Sequence, residues 1–114
     1  MDAEEEHELE FLLSLDGYEF RFASGYRVRL AARRVPATKH RPHGIKYSLT
    51  LHTPGGERLY GLDNAHKIRR RREFDHRHVY GARKLVGYTY RGPARLLEDF
   101  YREVERILSE RGDA

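Results

Sequence analysis

The chain of 114 residues contains no cysteine. Disulfides, thiolate nucleophiles and cysteine metal sites are therefore excluded. No apolar run approaches the roughly 18 residues that mark a membrane span, so the membrane is not expected as a partner. The first twenty residues carry eight acidic groups and neither lysine nor arginine. A secretory leader would instead begin basic and continue apolar, and a cytoplasmic protein is the expectation. There is no internal repeat and no composition break of the kind that separates domains. Residues 1–114 are read as a single domain, with a flexible acidic lead over residues 1–8.

Acidic residues are scarce in the middle of the chain. Residues 21–95 hold nineteen basic and four acidic groups, whereas residues 96–114 hold three basic and six acidic. The overall net charge of +4 conceals this asymmetry. A basic field of that density attracts polyanions, and nucleic acid is the commonest of them. A merely solvated surface, neutralised by the acidic ends, is the plainer alternative.

Apolar residues alternate over several short segments. Phe11, Leu13 and Leu15 predict a first strand, ending at the turn Asp16-Gly17. Tyr18, Phe20 and Phe22 predict a second, and Tyr26, Val28 and Leu30 a third whose other face is arginine. Ile45 to His52 and Arg58 to Asp63 read as a further pair around Thr53-Pro54-Gly55-Gly56, and Val86 to Tyr90 as a last short strand. The end changes period. After Gly92-Pro93, Leu96, Leu97, Phe100, Val104, Ile107 and Leu108 recur at helical spacing, and Gly112 closes the segment. The expected fold is α+β: an antiparallel sheet of five or six strands with one C-terminal helix packed across one face.

The stretch YGLDNAHKIRRRREFDHRHVYG, Tyr60 to Gly81, has too few apolar residues to build a core. In an extended FDHRHV, His76 and His78 share one face, and Asp75 and Arg77 the other. Asp63 and His66 lie just upstream. Three readings follow. The histidines can serve as acid and base in RNA cleavage, where the substrate's own 2′-hydroxyl is the nucleophile and an imidazole titrates near pH 6.5. Arg77, helped by Lys67 or Arg58, would then stabilise charge on the phosphate, and no cofactor is needed. Alternatively Asp63, His66, His76 and His78 ligate a divalent transition metal. In the third reading they are surface groups bonded to loop backbone, and the protein binds nucleic acid or a partner without catalysis. Lys67, Arg69, Arg70, Arg71 and Arg72 form a candidate phosphate clamp that positions RNA without reading its sequence. Tyr60 and Tyr80 are candidates to stack bases beside it, whereas Tyr88 and Tyr90 read as half-buried tyrosines.

From Pro42 to Leu108 the chain resembles the TumE family of toxins from bacterial and archaeal toxin–antitoxin pairs. The resemblance is carried by HGIKYSL, YGLDNAH, FDHRHVYG and LLEDFYREVERIL. It implies a toxin acting on RNA, paired with a DNA-binding antitoxin of helix-turn-helix type, with self-association into a homodimer left open. The family's pattern maps onto Asp63, Asn64, Asp75, His76, Arg77 and His78. Where family members have a short glycine-containing link before the aspartate–histidine motif, this chain has KIRRRREF.

Overall fold

The computed structural model describes residues 2–39, 41–64, 76–79 and 84–112, with residues 76–79 and 84–86 described by their backbone alone. The chain begins with helix α1 (Ala3–Ser14). Four strands follow: β1 (Tyr18–Arg21), β2 (Arg27–Arg34), β3 (Ile45–His52) and β4 (Arg58–Asp63). Then come β5 (His76–Val79), β6 (Lys84–Gly87) and helix α2 (Pro93–Glu110). The strands form one antiparallel sheet in sequence order, β1-β2-β3-β4-β5-β6. The α+β class, the antiparallel sheet and the C-terminal helix agree with the sequence reading.

The set of strands differs from the expected one. Four segments read as strands, near 18–22, 26–31, 45–52 and 58–63, are β1 to β4. The first expected strand, over Phe11 to Leu15, is instead the end of α1. Its alternation of apolar residues is overridden by what precedes it: AEEEHELE is built of strong helix formers with no β-branched residue. Asp2 caps the helix by accepting the Glu5 N–H at 2.8 Å. Glu4, Glu5 and Glu6 stand in the first turn, where the helix dipole favours negative charge. Residues 3–8 of the acidic lead thus lie within α1. The helix buries Leu9 and Leu12, three apart, and leaves Phe11 60% exposed. Asp16-Gly17 turns the helix into β1, and the hairpin falls one turn later, at Ser24-Gly25, where the Gly25 N–H bonds the Phe22 carbonyl.

Both helices lie on one face of the sheet and share its core. That core joins Leu9 and Leu12 of α1, Leu96, Phe100, Val104 and Leu108 of α2, and the inward residues of three strands. These are Val28, Leu30 and Ala32 of β2, Ile45, Tyr47, Leu49 and Leu51 of β3, and Tyr60 and Leu62 of β4. The stripe expected on α2 is the buried one, with Leu97 and Ile107 packed at its margin. The start of α2 has no side-chain cap of its own. Instead the Glu8 carboxylate of α1 accepts the Ala94 N–H at 3.3 Å, joining the two helices. Its end is closed by Gly112 in the left-handed region, φ +76°, with the N–H bonded to the Ser109 carbonyl.

Candidate active site on the open face of the sheet

Among the described residues no helix lies over the outer face of the sheet, and that face is basic. Alternation from the buried positions sends Arg27, Arg29, Ala31 and Arg33 of β2, and Lys46, Ser48, Thr50 and His52 of β3, to this side. Across an antiparallel ladder, paired residues share a face. Ser48 pairs with Asp63, and Asp63 with His76. Thr50 pairs with Gly61, and Gly61 with His78. Two adjacent rows therefore cross the sheet, Ala31–Ser48–Asp63–His76 and Arg29–Thr50–Gly61–His78. The sequence reading had His76 and His78 on one face with Asp63 nearby; the register sets Asp63 opposite His76 and Gly61 opposite His78.

Arg77 occupies the other row. It pairs with Leu62, which belongs to the core face. Cations on the side of the histidine rows include Arg29, at the end of one row, and Arg58. The β3–β4 ladder has a register shift between Leu51 and His52, which brings Arg58 opposite His52. A Cβ built at Gly61 would lie 3.2 Å from the Thr50 methyl and 3.3 Å from the Leu49 carbonyl oxygen, with Arg58 Cδ at an ordinary contact distance of 3.8 Å. Beside it a shallow cavity of about 390 Å³ is lined by Arg29, Ser48, Thr50, His52, Arg58 and Glu19, among others.

His52 is a functional candidate that the sequence reading passed over. Its Nε2 lies 2.9 Å from Thr50 Oγ1. Burial pushes its pKa below the ordinary imidazole value. A hydrogen bond with the Gly56 backbone opposes that, and the positive fields of Arg29, Arg27 and Arg58 reinforce it. The signal was present in the sequence as the polar half of KYSLTLH, where attention went to the denser histidine segment downstream.

The other expected residues separate into distinct places. Asp63 ends β4 and is buried, at 5% exposure. Asn64, at 3%, extends the ladder with its side chain: Oδ1 accepts the Tyr47 N–H at 2.9 Å and Nδ2 donates to the Ile45 carbonyl at 2.8 Å. Tyr60, a candidate for stacking bases, is a core residue at 2% exposure, its ring stacked on Phe100 with centroids 6.0 Å apart. Its place one residue before Gly61 puts it on the helix side. Tyr88 is half-buried and donates its hydroxyl to Asp99 at 2.7 Å, and burial followed by that bond raises its pKa. Tyr90 stacks on His43 and Tyr47. His66, Lys67, Arg69, Arg70, Arg71, Arg72, Asp75 and Tyr80 lie outside the described residues. Among the described residues no three metal-ligating side chains gather, and no helix is long and apolar enough to cross a membrane.

A family model described as Toxin TumE matches residues 4–108. The chain belongs to the TumE toxin family. The match takes in α1 as well as the sheet and α2, and so extends well upstream of the segment from Pro42 that carried the resemblance. Comparison with curated proteins and with solved structures returns no match.

Proposed function

We propose that this TumE-family toxin is a metal-independent endoribonuclease working from the open face of its sheet. The observation that carries the reading is the register of β4 and β5, in which Asp63 faces His76 and Gly61 faces His78. One histidine takes the proton of a 2′-hydroxyl. The 2′-oxygen attacks phosphorus, the bond from phosphorus to the 5′-oxygen breaks, and the other histidine protonates that oxygen. Asp63 orients the imidazole of His76 and holds its tautomer, as carboxylates do for catalytic histidines. Arg58, whose Cδ lies beside Gly61, takes the electrostatic role first given to Arg77, because Arg77 belongs to the opposite row. Arg27, Arg29 and Lys46 extend a track for phosphates across the sheet, and Lys67 with Arg69–Arg72 would add a clamp. In this reading the protein acts in the cytoplasm and is held by a helix-turn-helix antitoxin, as the family resemblance implies.

The test is purified protein incubated with RNA and with DNA of the same sequence, with and without chelator, followed by end-group analysis. The expected products end in 2′,3′-cyclic phosphate and 5′-hydroxyl, DNA is untouched, and chelator has no effect. His76→Ala and His78→Ala each slow cleavage by about 10²–10⁴-fold. Arg58→Ala slows it more than Arg77→Ala. Loss of cleavage in chelator, restored by a divalent ion, would establish the metal reading. Full cleavage by the double histidine variant removes both, and RNA bound but uncut by the parent protein leaves a binding module.

A further inference from the structure

Among the described residues nothing pairs with the outer edge of β1. β1 pairs only with β2, and all four of its residues are exposed. It is short and carries Glu19 and Arg21, but it has no proline, no lysine and no bulge. Beside it lies an apolar patch that no part of the described chain covers. Phe11 is 60% exposed, Phe20 45% and Tyr18 42%. A groove of about 430 Å³ continues from them between Leu15, Leu97 and Tyr101. An open strand edge next to exposed aromatic rings marks an interaction surface.

The sequence of the edge selects its occupant. We infer that β1 pairs antiparallel with β1 of a second copy of this chain, about a two-fold axis at Phe20. In that register Phe20 faces its own counterpart, Tyr18 faces Phe22 of the second copy, and Glu19 faces Arg21. The aromatic pairs all fall on the helix side, where the patch lies, and the opposite charges all fall on the open side. Arg21 has no ion pair among the described residues. Glu19 has only the long contacts of 3.6 and 3.5 Å to Arg27 and Arg29.

The backbone agrees with the same register. The Phe22 N–H bonds the Tyr26 carbonyl, so Phe22 and Phe20 turn their backbone groups toward β2. Glu19 and Arg21 therefore turn theirs outward. A two-fold axis at Phe20 makes Glu19 and Arg21 of the second copy a hydrogen-bonded pair, and Phe20 a non-hydrogen-bonded pair, as the alternation requires. Side-chain charge, aromatic face and backbone parity thus select one isologous arrangement. It joins two sheets edge to edge and makes their basic open faces continuous. The inference does not depend on the activity proposed above.

Sedimentation equilibrium of the full chain is expected to give a dimer. Glu19→Arg and Arg21→Glu each set like charges opposite one another, twice per dimer, and are expected to sediment as monomers with unchanged circular dichroism. Mixed together, the two variants are complementary and are expected to form a heterodimer. A second test uses the chain's lack of cysteine. In the proposed register the Cα atoms of the two Phe20 residues lie about 4.5 Å apart, within disulfide range. Those of the two Arg21 residues are about 7–8 Å apart, beyond it. Phe20→Cys should then cross-link on oxidation and Arg21→Cys should not. A monomer at every concentration tested overturns the inference and assigns the edge to a different chain. A dimer that cross-links equally through both cysteines, or through neither, overturns it as well.

Discussion

Asn64→Ala separates a structural residue from a catalytic one. Asn64 adjoins Asp63 and belongs to the family's pattern, so a role in the chemistry would be the natural assumption. The geometry assigns it to the scaffold. Its side chain supplies one acceptor to the Tyr47 N–H and one donor to the Ile45 carbonyl, at a site 3% exposed. Truncation withdraws both. A buried carbonyl deprived of its donor costs about 1–3 kcal/mol, and the second lost bond adds about 0.5–1.5 kcal/mol. A water entering the vacated space recovers part of this. The expected loss is about 2–4 kcal/mol, set against a total stability on the order of 5–15 kcal/mol for a domain.

Equilibrium unfolding in urea measures it, with the midpoint lowered and the slope unchanged. Asn64→Asp sharpens the argument. The carboxylate keeps the acceptor for Tyr47 but sets a second acceptor against the Ile45 carbonyl, beside buried Asp63. At neutral pH it should cost at least as much as the alanine. The cost should shrink as pH falls, because the protonated acid can again donate to Ile45. A loss below about 1 kcal/mol for Asn64→Ala would refute the reasoning. So would abolished cleavage with an unchanged midpoint, which would move Asn64 from the scaffold to the substrate.

Two further outcomes follow from the core and from the open face. Phe100, fully buried against Tyr60 and Tyr101, should cost about 3–5 kcal/mol when replaced by alanine; a urea midpoint close to the parent's would mean that α2 does not anchor the sheet there. His52 has its pKa lowered by burial and by three arginines, so the folded state binds the proton less readily than the unfolded chain. Its contribution is therefore intact above the unfolded value near 6.5 and is lost as pH falls from there through the lower folded value. His52→Gln should flatten that part of the stability–pH curve, read as thermal midpoints between pH 8 and pH 5, and an identical slope in parent and variant would count against it.

What the sequence disclosed, and what it hid, has a common physical origin. Strands with one wet face announce themselves by alternation, so β3 was legible to the residue, and β2 with its arginine row was legible in place although it runs on to Arg34. The stripe of α2 was equally plain, because each turn buries one residue and wets the rest. FLLSL was ambiguous: five residues with three apolar positions at every second place fit a strand, and LEFL with its acidic lead fits a helix. Only the cap at Asp2 and the burial of Leu9 and Leu12 decide it. At the site, spacing set His76 and His78 at alternate positions, and the backbone register pairs them with Asp63 and Gly61 of β4. Spacing could not tell which face meets the core. Tyr60 was misplaced for that reason, since an aromatic residue fits base stacking and core stacking equally well until a helix covers one side.

The two faces of the sheet are coupled through the register. Side-chain direction has a period of two, so a slip of one residue in the β4–β5 ladder would exchange every partner. His76 would lose its place opposite Asp63. On the β4 side the arrangement is fixed by burial. Tyr60 and Leu62 are closed against α2 and β3, at 2% and 0% exposure, and turning them to solvent would forfeit about 1.5–3 kcal/mol for each such side chain. Asn64 adds to this by bonding to β3 on both sides of Lys46. The same apolar residues that hold the fold therefore hold Asp63 on the opposite side of β4 from α2. The placement of Asp63 on the strand is thus set by packing on the opposite side of the sheet.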